Sequence, residues 1–355
     1  MIMAPDWLKR LFDRAADLKI SWVEPRAPLE SLPALPYPPD LPSCRQVDPH
    51  PSGRYFLTVW GDHMAVHDAG AGCKAVDDLC PEAGLLTARF SPDGGRVVLG
   101  TRDDRALLVD WSQASVLGAT PGLGDYISEI RWRPDGRLVG LTQSNEVVVL
   151  DRSLGTVRRL AVLPQDSCGP AASMALSPDG ARLFVVAGPE LRCLDSESGA
   201  QIWRRRMASR QLSPAVSPAG SRIAVASDRV RLLDAATGIT AAEGPSFRFR
   251  GLSFPAMPAE MDGVAFTPRL AFSPDDRYLA ATTPTGRLQL LDPATLEVLR
   301  EYVDGTELAW IEDVAWFSDG ERLLLGCAND RVLVWSVEDE VCLVDARVST
   351  PFAPW

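Results

Sequence analysis

The chain has 355 residues, with 47 acidic against 36 basic side chains and a formal net charge of −11. That length suits two ordinary domains or one large repeat array. The negative balance argues against general nucleic-acid binding, which needs clustered cations, and no run of about 18 apolar residues is present to span a membrane.

The first predicted element is a helix over residues 6–18, DWLKRLFDRAADL. At helical spacing Trp7, Leu8, Leu11, Phe12, Ala15 and Leu18 share one face, and Asp6 can cap the start. Such a face packs on the chain's own core or docks on a partner; Trp7, Leu11 and Phe12 are its candidate partner contacts. The beginning of the chain lacks the uninterrupted apolar stretch and small-residue site of a secretory signal, so a cytoplasmic location is expected. LKISWVE (18–24) alternates as a strand does, and it can pair along an exposed sheet edge. EPRAPLESLPALPYPPDLP (24–42) is proline-rich and suits an extended strap. Residues 1–43 therefore read as an arm.

From residue 44 the chain repeats. FSPDGGR at 90–96 returns as WRPDGR, LSPDGAR, VSPAGSR, FSPDDR and WFSDGER. The turn positions are Pro51, Pro92, Pro134, Pro178, Pro218, Pro274 and Ser318, at steps of 41, 42, 44, 40, 56 and 44 residues. A second mark keeps phase: an aspartate ends an apolar run at Asp68, Asp110, Asp151, Asp195, Asp234 and Asp292, with Ser336 in the seventh copy. The runs are short and rich in Val, Leu and Ile, and Pro, Asp and Gly separate them. Four short strands per repeat of about 40–45 residues is the pattern of a propeller blade. The repeating aspartates read as turn formers rather than as catalytic groups, because every blade has one.

The segment DVAWFSDGERLLLGCANDRVLVWSVED (313–339) resembles the WD40 family, with Asp330 in a turn and Trp335 closing the third strand. The other copies end in LD rather than WD and lack the family's Gly-His pair. The resemblance implies an all-β, seven-bladed, divergent WD40-like propeller over 44–348, preceded by the short helix and arm and followed by a tail at 349–355. It also implies a non-catalytic platform for protein partners within a multi-protein assembly. Arginine makes up 33 of the 36 cations, and there are only two asparagines, which suggests bacterial, GC-rich coding.

Four departures from the repeat mark candidate sites. The long step of 56 holds an insert around 244–269, in which Phe247, Arg248, Phe249, Arg250, Phe254 and Met257 are residue types favoured at partner-binding hot spots. These phenylalanines can equally tuck the loop onto the rim. Residues 301–355 carry twelve acids and three arginines, enough to solvate outer strands or to steer a basic partner. Arg204, Arg205 and Arg206 read as a charged outer edge. Finally, four blades place alanine just before the first-strand aromatic or aliphatic, at Ala175, Ala215, Ala271 and Ala315, where blades 2 and 3 have Arg89 and Arg131. Those two arginines are expected in the central channel, paired with nearby acids or holding an anion.

Chemistry is sparse. His63 and His67 sit four apart in a strand, about 13 Å from each other and too far to share a metal. No nucleophile elbow, P-loop or HExxH motif occurs. The seven cysteines include no CxxC pair and read as reduced, mostly buried thiols. No cofactor and no metal is expected. The alternatives are a propeller enzyme of the lactonase or hydrolase type, with a metal or cofactor at the channel mouth, and a small-anion sensor using Arg89 and Arg131.

Overall fold

A computed structural model describes residues 21–23, 44–70, 73–77, 84–163, 173–187, 189–207, 213–226, 229–246, 268–282, 287–303, 311–327 and 331–347. They form seven antiparallel sheets, six of four strands and one of five. No helix occurs among the described residues. Each repeat folds as one blade: blade 1 over 44–77, blade 2 over 85–119, blade 3 over 127–162, blade 4 over 174–206, blade 5 over 213–246, blade 6 over 270–303 and blade 7 over 311–347. The predicted helix at 6–18 and strap at 24–42 lie outside the described residues, as does the tail.

The turn chemistry acts as the sequence requires. In blade 2 the Ser91 hydroxyl accepts the Arg96 amide at 3.0 Å and donates to Asp93 Oδ1 at 2.5 Å, which closes the turn. Gly94 supplies the positive φ of 74°. Blade 6 has no glycine there, and Asp276 takes the same left-handed conformation at φ 59°. At the end of the third strand, Asp195 Oδ1 accepts the Ser198 amide at 2.7 Å, and Asp234 Oδ1 accepts the Thr237 amide at 2.8 Å. These are turn-closing contacts, repeated from blade to blade.

Neither face of a blade is left to water. Val97, Val98 and Leu99 are consecutive in a strand and all fully buried, so both sides of that sheet are covered. One apolar cluster joins Leu57, Val59, Met64 and Val66 of blade 1 to Leu85, Ala88, Phe90 and Val97 of blade 2. The same arrangement joins blade 7 to blade 1 through Cys44, Phe56, Trp60, Phe317, Leu324 and Val334. Each such side chain contributes about 1.5–3 kcal/mol on burial, and none could be buried by a single blade.

Blades 1 and 7 are each built from one continuous stretch, so the ring closes without a shared sheet. Gly326 in the second strand of blade 7 lies against Cys44, where an added Cβ would stand 2.8 Å from the Cys44 carbonyl oxygen. That close approach lets the first strand of blade 1 nest on blade 7. The arm supplies a different reinforcement: Ser21–Val23 pairs antiparallel with Val298–Val303 as the fifth strand of blade 6. This is the edge pairing expected of residues 18–24, and it covers backbone groups that an edge strand leaves open.

The other outer strands are exposed. Arg204, Arg205 and Arg206 lie on Gln201–Arg206 with their side chains largely in solvent. Arg205 also reaches blade 5, where its Nε donates to the Gly238 carbonyl at 2.9 Å. Cys44, Cys193 and Cys327 are buried, and Cys342 is half-buried. Burial pushes the Cys193 thiol up to about 11, so it stays protonated at neutral pH.

Candidate functional site

Side chains alternate along each innermost strand, so every second residue faces the propeller axis. Two rings of seven result. The first ring lies three residues before each turn position: Asp48, Arg89, Arg131, Ala175, Ala215, Ala271 and Ala315. The second lies five before it: Gln46, Thr87, Glu129, Ser173, Ser213, Arg269 and Asp313. All of the second ring lines a cavity of about 580 Å³ at one end of the channel, together with Arg45, Asp48, Arg89 and Arg131.

The two predicted channel arginines lie in this cavity, and each faces an acid. Arg89 Nη1 donates to the Val47 carbonyl at 3.0 Å and stands 3.4 Å from Asp48 Oδ1. Arg131 pairs with Glu129, two residues earlier on its own strand. Burial raises the Asp48 carboxyl above its ordinary range, although Arg89 and the Phe90 amide pull the other way. Burial, then the like charge of Arg89, lowers the Arg131 guanidinium from its usual value.

The acidic and amide members of the rings do a second job. Asp313 Oδ2 in blade 7 accepts the Val47 amide of blade 1 at 3.0 Å. Gln46 in blade 1 binds both backbone groups of Ala88 in blade 2, accepting its amide at 3.3 Å. Asp48 Oδ2 accepts the Phe90 amide of blade 2 at 2.8 Å, and Glu129 Oε2 in blade 3 accepts the Met174 amide of blade 4 at 2.7 Å. Each contact runs from one blade to the next, so these polar groups tie the ring from inside.

The other end of the channel is different in kind. A cavity of about 520 Å³ there is lined by Ala175, Ala215, Ala271, Val216, Phe272 and Trp132, with the turn prolines Pro92, Pro134 and Pro178. Three of the four alanine positions seen in the sequence thus make an apolar mouth, the fourth, Ala315, lining the other cavity, and the charged ring makes a polar one. Arg131 lines both cavities.

The remaining predicted contacts fall elsewhere. Phe247, Arg248, Phe249, Arg250, Phe254 and Met257 lie outside the described residues, as do Trp7, Leu11 and Phe12. Among the first described residues of blade 6, Arg269 and Leu270 line the polar mouth. Reading the sequence missed Arg45, Asp48, Glu129, Arg269 and Asp313. Four of these are recoverable from the repeat phase alone, as the residues three or five before the turn. Among the described residues no group of three His, Cys, Asp or Glu side chains could hold a metal ion.

Comparison with known proteins agrees with this architecture. A propeller subunit in the crystal structure of the mitotic checkpoint complex superposes with a TM-score of 0.66 at 14% identity, covering 92% of this chain and 96% of that one. The Cps50 (Swd1) β-propeller domain of Myceliophteria thermophila superposes with a TM-score of 0.65 at 15% identity, covering 84% of this chain and 97% of that one. At such identities the likeness shows the fold alone. Among curated proteins, Drosophila melanogaster actin-interacting protein 1 is 26% identical over 180 residues, 49% of this chain. This chain spans only about a quarter of that relative, 27% of its length.

A family model described as outer membrane protein assembly factor BamB matches residues 81–244 and, in a second overlapping match, 161–294. Overlap of this kind is what a repeat produces, since one set of blades fits the model in more than one phase. The WD40 likeness rests on the seven-bladed fold and its neighbours, whereas the matching family model bears another name. The two matches together cover more than half of the sequence, and the chain belongs to this family of propeller repeats described as outer membrane protein assembly factor BamB.

Proposed function

We propose that the protein is a non-catalytic scaffold, a rigid propeller that holds one or more protein partners within an assembly. The observation that carries this reading is the use of the ring's polar groups. Asp48, Gln46, Glu129 and Asp313 are each spent on a neighbouring blade, which makes a stiff platform rather than a set of groups free for proton transfer. One similar structure is that of the mitotic checkpoint complex, and the matching family is described as an assembly factor, which supports the same reading. Partner contacts are proposed at the aromatic and arginine residues of the 247–257 segment and at Trp7, Leu11 and Phe12, by desolvation of a few anchors.

The test is recovery of a partner from the native host with the full chain, followed by rebinding of the two purified proteins. The reading expects a stoichiometric complex that weakens at least tenfold when Phe247, Phe249 and Phe254 are changed to alanine, or when residues 1–43 are removed. A recovered protein that rebinds both altered forms unchanged would remove these contacts from the account. Failure to rebind at all would remove the scaffold reading.

One observation favours a second reading, that of a propeller enzyme. The 580 Å³ cavity at the channel mouth has the size of a small-molecule site. Stoichiometric metal or organic cofactor in the purified protein would support it.

A further inference from the structure

The polar mouth contains donors that no blade contact uses. Arg45 lines the cavity, and its guanidinium has no hydrogen-bond or ion-pair partner among the described residues. Arg269 commits only its Nε, to the Glu312 carbonyl at 3.3 Å, and leaves both terminal nitrogens without a partner there. The hydroxyls of Ser173 and Ser213 also line the cavity and make no hydrogen bond among those residues. Ser213 is 5% exposed, so it belongs to the wall of the cavity rather than to the outer surface.

The acids of the same mouth are engaged. Asp48 accepts from Phe90 and faces Arg89; Glu129 accepts from Met174 and faces Arg131; Asp313 accepts from Val47. Four arginines against three carboxylates leave one net positive charge, concentrated where Arg45 and Arg269 have no acid of their own. This occurs in a chain whose net charge is −11. Uncompensated guanidinium donors gathered at one concave mouth are complementary to an anion that can accept several charge-assisted hydrogen bonds there.

We propose that the polar mouth of the channel binds a small anion presenting several oxygen acceptors, held by Arg45 of blade 1 and Arg269 at the start of blade 6, with Ser173 and Ser213 as neutral donors. The cavity volume accommodates a phosphate ester or a polycarboxylate, and both present the same chemistry to these donors. The proposal does not depend on the scaffold reading.

Calorimetric titration of the full chain with pyrophosphate and, separately, with citrate tests it and distinguishes the two sources. The expected result is one saturable site for at least one of them. Arg45→Ala combined with Arg269→Ala should weaken it at least tenfold, and Ser213→Ala by a smaller factor. Arg204→Ala combined with Arg206→Ala, on an exposed outer strand, should leave it unchanged. If the double channel variant fails to fold, Arg45→Ala alone, at an exposed position, carries the test. Absence of saturable binding to both anions overturns the proposal. Equal weakening by the outer-strand variant also overturns it, as does unchanged binding in the channel variants.

Discussion

The Ser318 hydroxyl donates to the Pro51 carbonyl at 3.0 Å, across the seam where the last blade meets the first. Six of the seven turns have proline at this position, and the seventh has a residue that can donate. The exception sits where the ring must close without a shared sheet. Arg322 adds a second contact there, with Nη2 donating to the Gly53 carbonyl at 2.7 Å and the guanidinium 4.4 Å over the Phe317 ring. Ser318→Ala is expected to lower stability by about 1 kcal/mol, the usual net worth of one such bond. Equilibrium urea unfolding reads this as a lower midpoint at an unchanged slope, and a wild-type midpoint would mean that the seam does not need the bond.

The same seam sets a steric prediction. An alanine at 326 would place its Cβ 2.8 Å from the Cys44 carbonyl oxygen and 3.0 Å from both the Cys44 sulfur and a Val47 methyl. Backbone cannot yield there without moving the first strand of blade 1. Gly326→Ala should cost about 1–3 kcal/mol. Gly122→Ala, where nothing lies within 4 Å of the added carbon, should be near neutral by the same denaturant titration.

The blade count, the turn chemistry and the contiguous end blades were legible in the sequence, because each follows from local residue types repeated in phase. Longer-range ties were harder to read. They sit where a copy departs from the repeat, and a departure alone does not say what it reaches. Arg133 replaces the turn serine of other blades, and it is 7% exposed with Nη1 donating to the Ser196 hydroxyl of blade 4 at 2.9 Å. His50 stands at the same position in blade 1 and reaches the Gly94 carbonyl of blade 2 at 2.9 Å. Asp276, where most copies have glycine, pairs with Arg222 of blade 5. The charged ring was only half visible for a related reason. Arg89 and Arg131 contrast with alanine at their position, whereas the ring two residues earlier is mixed in every blade and offers no background to depart from.

Acid sensitivity follows from the turn aspartates. The Ser198 hydroxyl and amide hold the Asp195 carboxyl below its ordinary value, and the Thr237 hydroxyl and amide do the same for Asp234. A carboxyl depressed in the folded state gives stability that is present above its unfolded value, near 3.9, and lost as pH falls through the folded one. Asp195→Asn keeps an accepting oxygen but cannot ionise. Its deficit relative to wild type should be largest near pH 6 and should shrink as pH falls below about 4. Thermal midpoints measured across that range check it, and a deficit independent of pH would contradict it.

Asp48 should behave in the opposite sense. Its carboxyl is raised in the folded protein because burial outweighs the attraction of Arg89. The folded state therefore binds this proton more tightly than the unfolded chain does. Its contribution to stability is greatest at low pH and declines as pH rises from the unfolded value, near 3.9, through the raised one. Asp48→Asn removes that titration and leaves Arg89 its bond to the Val47 carbonyl. The stability of the variant relative to wild type should improve as pH rises from about 4 to 7, the reverse of the trend for Asp195→Asn. Parallel urea titrations of the two variants over this range separate a buried channel carboxyl from an exposed turn carboxyl. A flat profile for Asp48→Asn would mean that Asp48 ionises in the folded ring as readily as in water, and a trend of the same sign as that of Asp195→Asn would mean that it ionises more readily; either result contradicts the prediction.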